Sequence, residues 1–179
     1  MIEIIPRIYS KKVMIKFINE RKKDEEDVEN LLDLVFSPSR FHLSSYSLRL
    51  GVQKINSLCY VAKNETGMLL GVVRQWPVQI GDGFDNISLL TGPVAVHPTA
   101  QGEGLGSSLL NLSLSKSKEE GWKRALLIGD LNYYKSFGFR QQSTQRVIFP
   151  PPTDPRRVLF LELQIGSFKG LAGKVRRFT

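Results

Sequence analysis

The chain has 179 residues, with 25 Lys+Arg against 17 Asp+Glu and a formal charge of +8, giving a pI near 9.7. Hydrophobic residues make up 41% and charged residues 23%. That balance can offset the entropy of ordering and excludes a chain disordered throughout. The length suits one domain, or one domain with a short extension.

After a basic lead-in, residues 13–18 have the apolar content of a first strand. Asp24 then opens an acidic turn, and Val28, Leu31, Leu32 and Val35 follow at helical spacing. This predicts an amphipathic helix with its negative charge at the N-terminal end, where the dipole favours it. Ser37-Pro38 stops it. Residues 39–50 read as a second helix closed by Gly51. A strand over 58–62, a turn over 64–67 and a long strand over 68–80 form a predicted hairpin. A turn over 81–86 leads into an apolar strand over 87–96.

Beyond Pro98 the period changes. Leu105, Leu109 and Leu112 predict a helix reaching Glu120, with Gly121 as its stop. Residues 124–128 (RALLI) are a short apolar strand, 131–137 a helical stretch and 139–148 strand-like. Prolines 150–152 break the chain before a last strand over 158–165. Consecutive strands followed by a strand–helix–strand crossover predict an α/β fold with a mixed sheet.

The most informative segment is GPVAVHPTAQGEGLGSS, residues 92–108: a strand, a proline-bearing bend, three alternating glycines and a helix start. Such a loop can aim backbone N–H groups into one concavity at the positive end of a helix dipole, which suits an anion such as a pyrophosphate. The P-loop pattern fails, because no Gly-Lys-[Ser/Thr] is present. The dinucleotide fingerprint fails at Ser107, where a third glycine is required. The pattern Gln-x-x-Gly-x-Gly is met by Gln101, Gly104 and Gly106.

In this context the sequence resembles the GCN5-related N-acetyltransferase (GNAT) family, and within it the YhbS-like branch. LLTGPVAVHPTAQGEGLGSSLL is similar to the acetyl-CoA-binding motif of that family. GDLNYYKSFGF, residues 129–139, is similar to its late motif, in which a Tyr precedes Gly-Phe across three residues. The WPVQIG and RRVLFLEL stretches add to the likeness, which covers residues 13–148 in order.

The resemblance implies a single-domain α/β fold with a mixed, largely antiparallel sheet, a V-shaped splay between the central strands, and flanking helices. It implies acetyl-CoA as co-substrate and no metal. The pantetheine arm would lie along Val94, Ala95 and Val96, and the pyrophosphate on the loop of Gln101, Gly102, Glu103, Gly104, Leu105, Gly106 and Ser107, with Phe137 completing the cofactor set. A backbone N–H near Val94 or Ala95 would polarise the thioester carbonyl. Tyr134 stands at the position of the acid that assists the departing thiolate, with packing against the cofactor as its plainer role. The long strands offer no Glu as a base; Asp130 and Asp82 lack support, and the base stays unassigned.

Other residues carry less. One cysteine, Cys59, excludes an intrachain disulfide and fits a reducing cytoplasm. With only His42 and His97 beside it, structural zinc is not expected. Cys59 lies in an apolar strand and reads as a buried inert thiol. His97 reads as structural, and Trp76 as core or acceptor-side lining. No leader with a small-residue cleavage site is visible, and no stretch approaches 18 consecutive apolar residues, so the expectation is a cytoplasmic, soluble protein without a membrane partner. The cations cluster at both chain ends without interleaved aromatics, which disfavours nucleic acid.

The sequence reading is therefore an acetyltransferase core over 1–148 with an extension over 149–179 packing on the same domain. The activity is N-acetyl transfer from acetyl-CoA to a primary amine, small-molecule or peptide, by direct attack in a ternary complex; a homodimer stays open. The alternatives are a non-catalytic acyl-CoA-binding module, or a transferase acting on aminoacyl-tRNA or another nucleic-acid-linked amine.

Overall fold

The computed structural model describes residues 14–83, 85–141 and 146–179. The strands are β1 (Lys16–Asn19), β2 (Tyr60–Lys63), β3 (Leu69–Ile80), β4 (Ile87–Val96), β5 (Arg124–Ile128), β6 (Arg140–Gln141), β7 (Val147–Ile148), β8 (Val158–Glu162) and β9 (Gly173–Arg177). The helices are α1 (Glu25–Phe36), α2 (Ser44–Ser47), α3 (Leu105–Glu119) and α4 (Leu131–Tyr134). The sheet runs β1-β2-β3-β4-β5-β8-β6, with β9 pairing both β3 and β7. Within the main path only β4 and β5 are parallel; the other neighbours are antiparallel. This is the mixed, mostly antiparallel α/β sheet flanked by helices that the sequence predicts.

Strand alternation decides which helix covers which face. Val61 and Val72 point to one side, where α1 buries Val28, Leu31 and Leu32. Tyr60, Ala62 and Val73 point to the other, where α3 buries Leu109, Leu110 and Leu114. A third cluster around Trp76, Val78, Ile80, Leu126 and Phe160 closes the far end of the sheet. Fully burying one such aliphatic side chain is worth about 1.5–3 kcal/mol, so α1 and α3 are held by their apolar faces.

Three sequence expectations need correction. The helix predicted over 39–50 is two short pieces, a 3-10 turn over Pro38–His42 and α2 over Ser44–Ser47, because Leu43 is extended (φ −73°, ψ 141°). The strand predicted over 139–148 contributes two separate two-residue strands: Arg140–Gln141 pairs with β8, and Val147–Ile148 with β9. The strand predicted over 158–165 ends at Glu162, whose carboxylate accepts the Gly166 and Phe168 amides and turns the chain away.

β9 was not predicted at all. Its Val175, Arg176 and Arg177 pair with Ile80, Gln79 and Val78, occupying the edge of β3 beyond the reach of β2. The first predicted strand begins in residues outside the described set; its described part is β1.

Candidate active site

The central opening follows from one short ladder. β4 and β5 pair only at Leu89↔Ala125 and Leu90↔Leu126, although β4 continues to Val96 and β5 to Ile128. The other edge of β4 stays paired with β3 as far as Gly71↔Val96. Register shifts between Val73 and Gln75, so that two residues of β4, Gly92 and Pro93, stand opposite the single residue Arg74, one more than a regular ladder has. An irregularity of this kind bends a strand and re-aims it. Past Leu90, Val94, Ala95 and Val96 therefore present a main-chain edge with no strand neighbour on the β5 side among the described residues.

At the far end of that edge the chain bends into α3. His97 Nδ1 accepts the Thr99 amide at 3.3 Å and caps the bend, the structural role expected of it. Ala100 and Leu105 anchor the loop by packing with Leu70. Gln101 folds back so that Nε2 donates to the Val96 carbonyl at 3.4 Å. Between the anchors, Gly102 (φ +84°) and Gly104 (φ +78°) adopt left-handed conformations, and a Cβ at either would find no heavy atom within 4 Å.

Gly104 is the N-cap of α3 and has no side chain to satisfy the first amides of the helix. Bare N–H groups and the dipole thus face open space. Gly102, Glu103 and Gly104 are exposed, Gly106 and Ser107 are half-buried, and the Leu105 side chain points inward. Such a surface offers main-chain groups that could hold an anion such as a pyrophosphate. The Glu103 carboxylate contributes nothing attractive to an anion.

The late motif closes the other wall. Asp130 caps α4 by accepting the Asn132 amide at 2.9 Å, which places Tyr133, Tyr134 and Phe137 in one aromatic group. The Tyr134 ring lies against Gly129, where any side chain would overlap it. Tyr133 sends its hydroxyl across to Gly106, bridging late motif and glycine loop. Burial pushes the Tyr134 phenol up to about 12, with the neighbouring Tyr133 adding to the rise and Arg157 opposing it.

A cavity of about 240 Å³ lies between the late motif and the helical turns after α1. Leu90, Thr91, Gly92, Pro93 and Val94 of β4 form one wall, and Ile128, Gly129, Asp130 and Tyr134 a second, with Arg157 beside Gly129, whose amide donates to the Arg157 carbonyl at 2.9 Å; Arg40, Tyr46 and Arg49 form a third. The Thr91 hydroxyl is buried without a hydrogen-bond partner among the described residues. Sequence reading brought Tyr134 and Val94 here but missed the arginine wall. Its residues come from 40, 46 and 49, and the one available signal was arginine in a helical segment with a mixed face.

Asp130 lies on the cavity. Asp82 does not: it is exposed and pairs with Arg176. Trp76 is buried in the core while its ring sits under the Arg49 guanidinium at 5.1 Å. Cys59 is buried and its thiol is pushed up to about 11, mainly by desolvation. Among the described residues no group of three or more His, Cys, Asp or Glu is placed to hold a metal ion, and no helix is long and apolar enough to cross a membrane.

Residues 56–141, from the approach to β2 through β6, match the acetyltransferase (GNAT) domain family. The fold is similar to that of the GNAT N-acetyltransferase YhbS from Escherichia coli, crystallised with CoA. The TM-score is 0.78 at 22% identity, covering 96% of this chain and 94% of that one. A GNAT acetyltransferase from Brucella melitensis in complex with acetyl-CoA gives 0.59 at 26% identity, over 79% of this chain and 94% of the other. A GNAT acetyltransferase from Staphylococcus aureus gives 0.58 at 15%, over 84% and 100%. Comparison with curated proteins finds no match.

Proposed function

We propose that this chain, whose residues 56–141 match the acetyltransferase (GNAT) domain family and whose fold is similar to that of solved GNAT structures, transfers an acetyl group from acetyl-CoA to a primary amine by direct attack within a ternary complex. The observation that carries the reading is the continuity of the parting of β4 from β5 with the open Gly102–Gly104 loop at one end and the Tyr134 cavity at the other. CoA and acetyl-CoA in the crystallised relatives support the choice of co-substrate.

The free edge at Val94, Ala95 and Val96 takes the place of a strand neighbour for the amides of the pantetheine arm. The amides from Gly102 to Ser107 hold the pyrophosphate. A main-chain N–H at Val94 or Ala95 donates to the thioester oxygen as negative charge develops there, a contribution of roughly 3–4 kcal/mol in comparable sites. The amine attacks the carbonyl carbon, a tetrahedral oxyanion forms, and the carbon–sulfur bond breaks as the carbonyl returns. The amine must lose a proton, and the base that takes it is unassigned; Asp130 is the cavity carboxylate.

The perturbed phenol constrains the role of Tyr134. With its pKa pushed up to about 12 it is protonated at neutral pH, as a donor must be. Complete transfer to a thiolate of pKa about 8.5 would be uphill by about 5 kcal/mol. Tyr134 therefore holds the departing sulfur by a hydrogen bond, and the thiolate takes its proton later, from water or from the attacking nitrogen, which must shed one proton to become a neutral amide. No covalent acyl-enzyme is formed: Cys59 is buried, and its raised pKa leaves little thiolate.

The test is release of free thiol from acetyl-CoA across a panel of primary amines, with the acetylated product identified by mass. Amine-dependent release matched by N-acetyl product supports transfer. Tight CoA binding with no release for any amine leaves a binding module instead.

A further inference from the structure

Two arginines at this cavity, Arg49 and Arg157, have no ion-pair partner among the described residues, although the carboxylates around it match the arginines in number. Glu20 gives both oxygens to Arg74, at 2.9 and 2.7 Å. Glu29 gives one oxygen to Arg74 at 2.6 Å and the other to Arg40 at 2.7 Å, and Asp33 completes Arg40 at 2.9 Å. Arg49 lies within this group and has no carboxylate partner among the described residues. Its Nε donates to the Ser45 carbonyl at 2.7 Å and its Nη2 to Ser45 Oγ at 2.9 Å; these bonds leave the Nη1 donors uncommitted.

Burial and the nearby Arg40 and Arg74 cations pull Arg49 down to about 10, which a counter-ion would reverse. Arg157, on the same cavity, is likewise without an ion pair among the described residues. The Asp130 carboxylate is engaged at the N-terminus of α4.

These cations are not placed for the phosphates of CoA. The glycine loop that suits a pyrophosphate follows the Val96 end of β4, whereas the arginine wall faces residues 90–94 at the opposite end, beside Tyr134. An occupant here is the acceptor. The cavity is small beside the roughly 300–1,000 Å³ of typical ligand sites. Guanidinium groups repel an acceptor that is cationic along its length, such as a polyamine, and pair with planar anions through two parallel N–H bonds.

Resting on the transferase reading above, we propose that the acceptor is a small amine that also bears a carboxylate, of the amino-acid class. The Arg49 guanidinium binds that carboxylate, with Arg157 adding charge, and so directs the amine toward Tyr134 and Val94.

The test has a binding arm that does not depend on catalysis. Calorimetry on the CoA-loaded protein compares N-acetylglycine with N-acetylglycinamide, product-like probes differing in the carboxylate. The carboxylate probe should bind at least about tenfold tighter, as expected for a charge-assisted pair. Arg49→Gln should abolish the preference, while Arg49→Lys keeps part of it. CoA affinity and the thermal midpoint, measured for each variant, should stay within twofold and about two degrees of the parent. Equal binding of the two probes, or a preference that survives Arg49→Gln, overturns the proposal. In the kinetic arm, acetylation of glycinamide as efficiently as glycine overturns this proposal and leaves transfer standing. A carboxylate preference in binding, with no thiol release from any amine, supports the site and overturns the transferase reading.

Discussion

The two ends of the β4 edge are built from different materials. At the Val96 end the binding surface is main chain: left-handed glycines, the first amides of α3 and an uncapped helix start, with the Glu103 side chain pointing out to solvent. At the Leu90 end it is side chain: Tyr134 against Gly129, and Arg40, Tyr46 and Arg49 from the segment between α1 and β2. A main-chain site reads what every CoA thioester shares, and it tolerates many side chains around it. A side-chain site can differ for every acceptor. On the proposed reading, the division separates cofactor binding from acceptor choice along one strand edge.

The division can be broken most severely at the glycines. Gly104→Val should weaken acetyl-CoA binding by about 100-fold or more, since a β-branched residue resists φ +78° and its methyls enter the space an anion must approach. Folding should survive at a cost of about 1–2 kcal/mol for the left-handed backbone, because an added Cβ meets no heavy atom within 4 Å there. Calorimetry with CoA checks it, and near-parent affinity would refute a main-chain phosphate site.

Tyr134→Phe acts at the other end. It should lower kcat about 10–100-fold, at or below the low end of the roughly 10²–10⁴-fold typical of a positioned acid, because the phenol lends a hydrogen bond without giving up its proton, with CoA affinity unchanged within twofold. Because the phenol is raised to about 12, it stays protonated at both pH 7 and pH 9. The factor lost should therefore be the same at both values. A loss that shrinks at pH 9 would mean that Tyr134 ionises in the working range and has another role.

Smaller changes sharpen the contrast. Gln101→Ala should raise the KM for acetyl-CoA only two- to threefold, because its bond to the Val96 carbonyl is long at 3.4 Å and a neutral hydrogen bond is worth about 1 kcal/mol or less. Glu103→Gln should tighten acetyl-CoA slightly, at most about threefold and only at low salt, since an exposed charge near the phosphates is screened. A large loss from Glu103→Gln would show that the loop binds through side chains after all.

The same division explains what the sequence could disclose. The glycine loop was legible because alternating glycines between an apolar strand and a periodic leucine helix have few other uses. Tyr134 was legible only because GDLNYYKSFGF resembles the late motif of the GNAT family; the structure makes it the last residue of α4. Arg49 was not, because Ser45 lies one turn back on its own segment, while the Trp76 ring and the Arg74 cation that set its environment belong to β3, far away in sequence. The break at Leu43, which turns one predicted helix into two pieces, has no proline or glycine to announce it; Ser37-Pro38 was the visible stop. β9 escaped for another reason. Glycine at 170 and 173 and alternating cations hide its one buried side chain, Val175, which fills the β3 edge.

The central claim is direct transfer in a ternary complex, and a single-turnover experiment tests it most closely. Enzyme in excess is mixed with acetyl-CoA, and free thiol is followed before and after a reactive amine is added. The account predicts no thiol burst before the amine, then one thiol released for each N-acetylated product. A burst in the absence of amine, or thiol release with no acetylated amine, would contradict it.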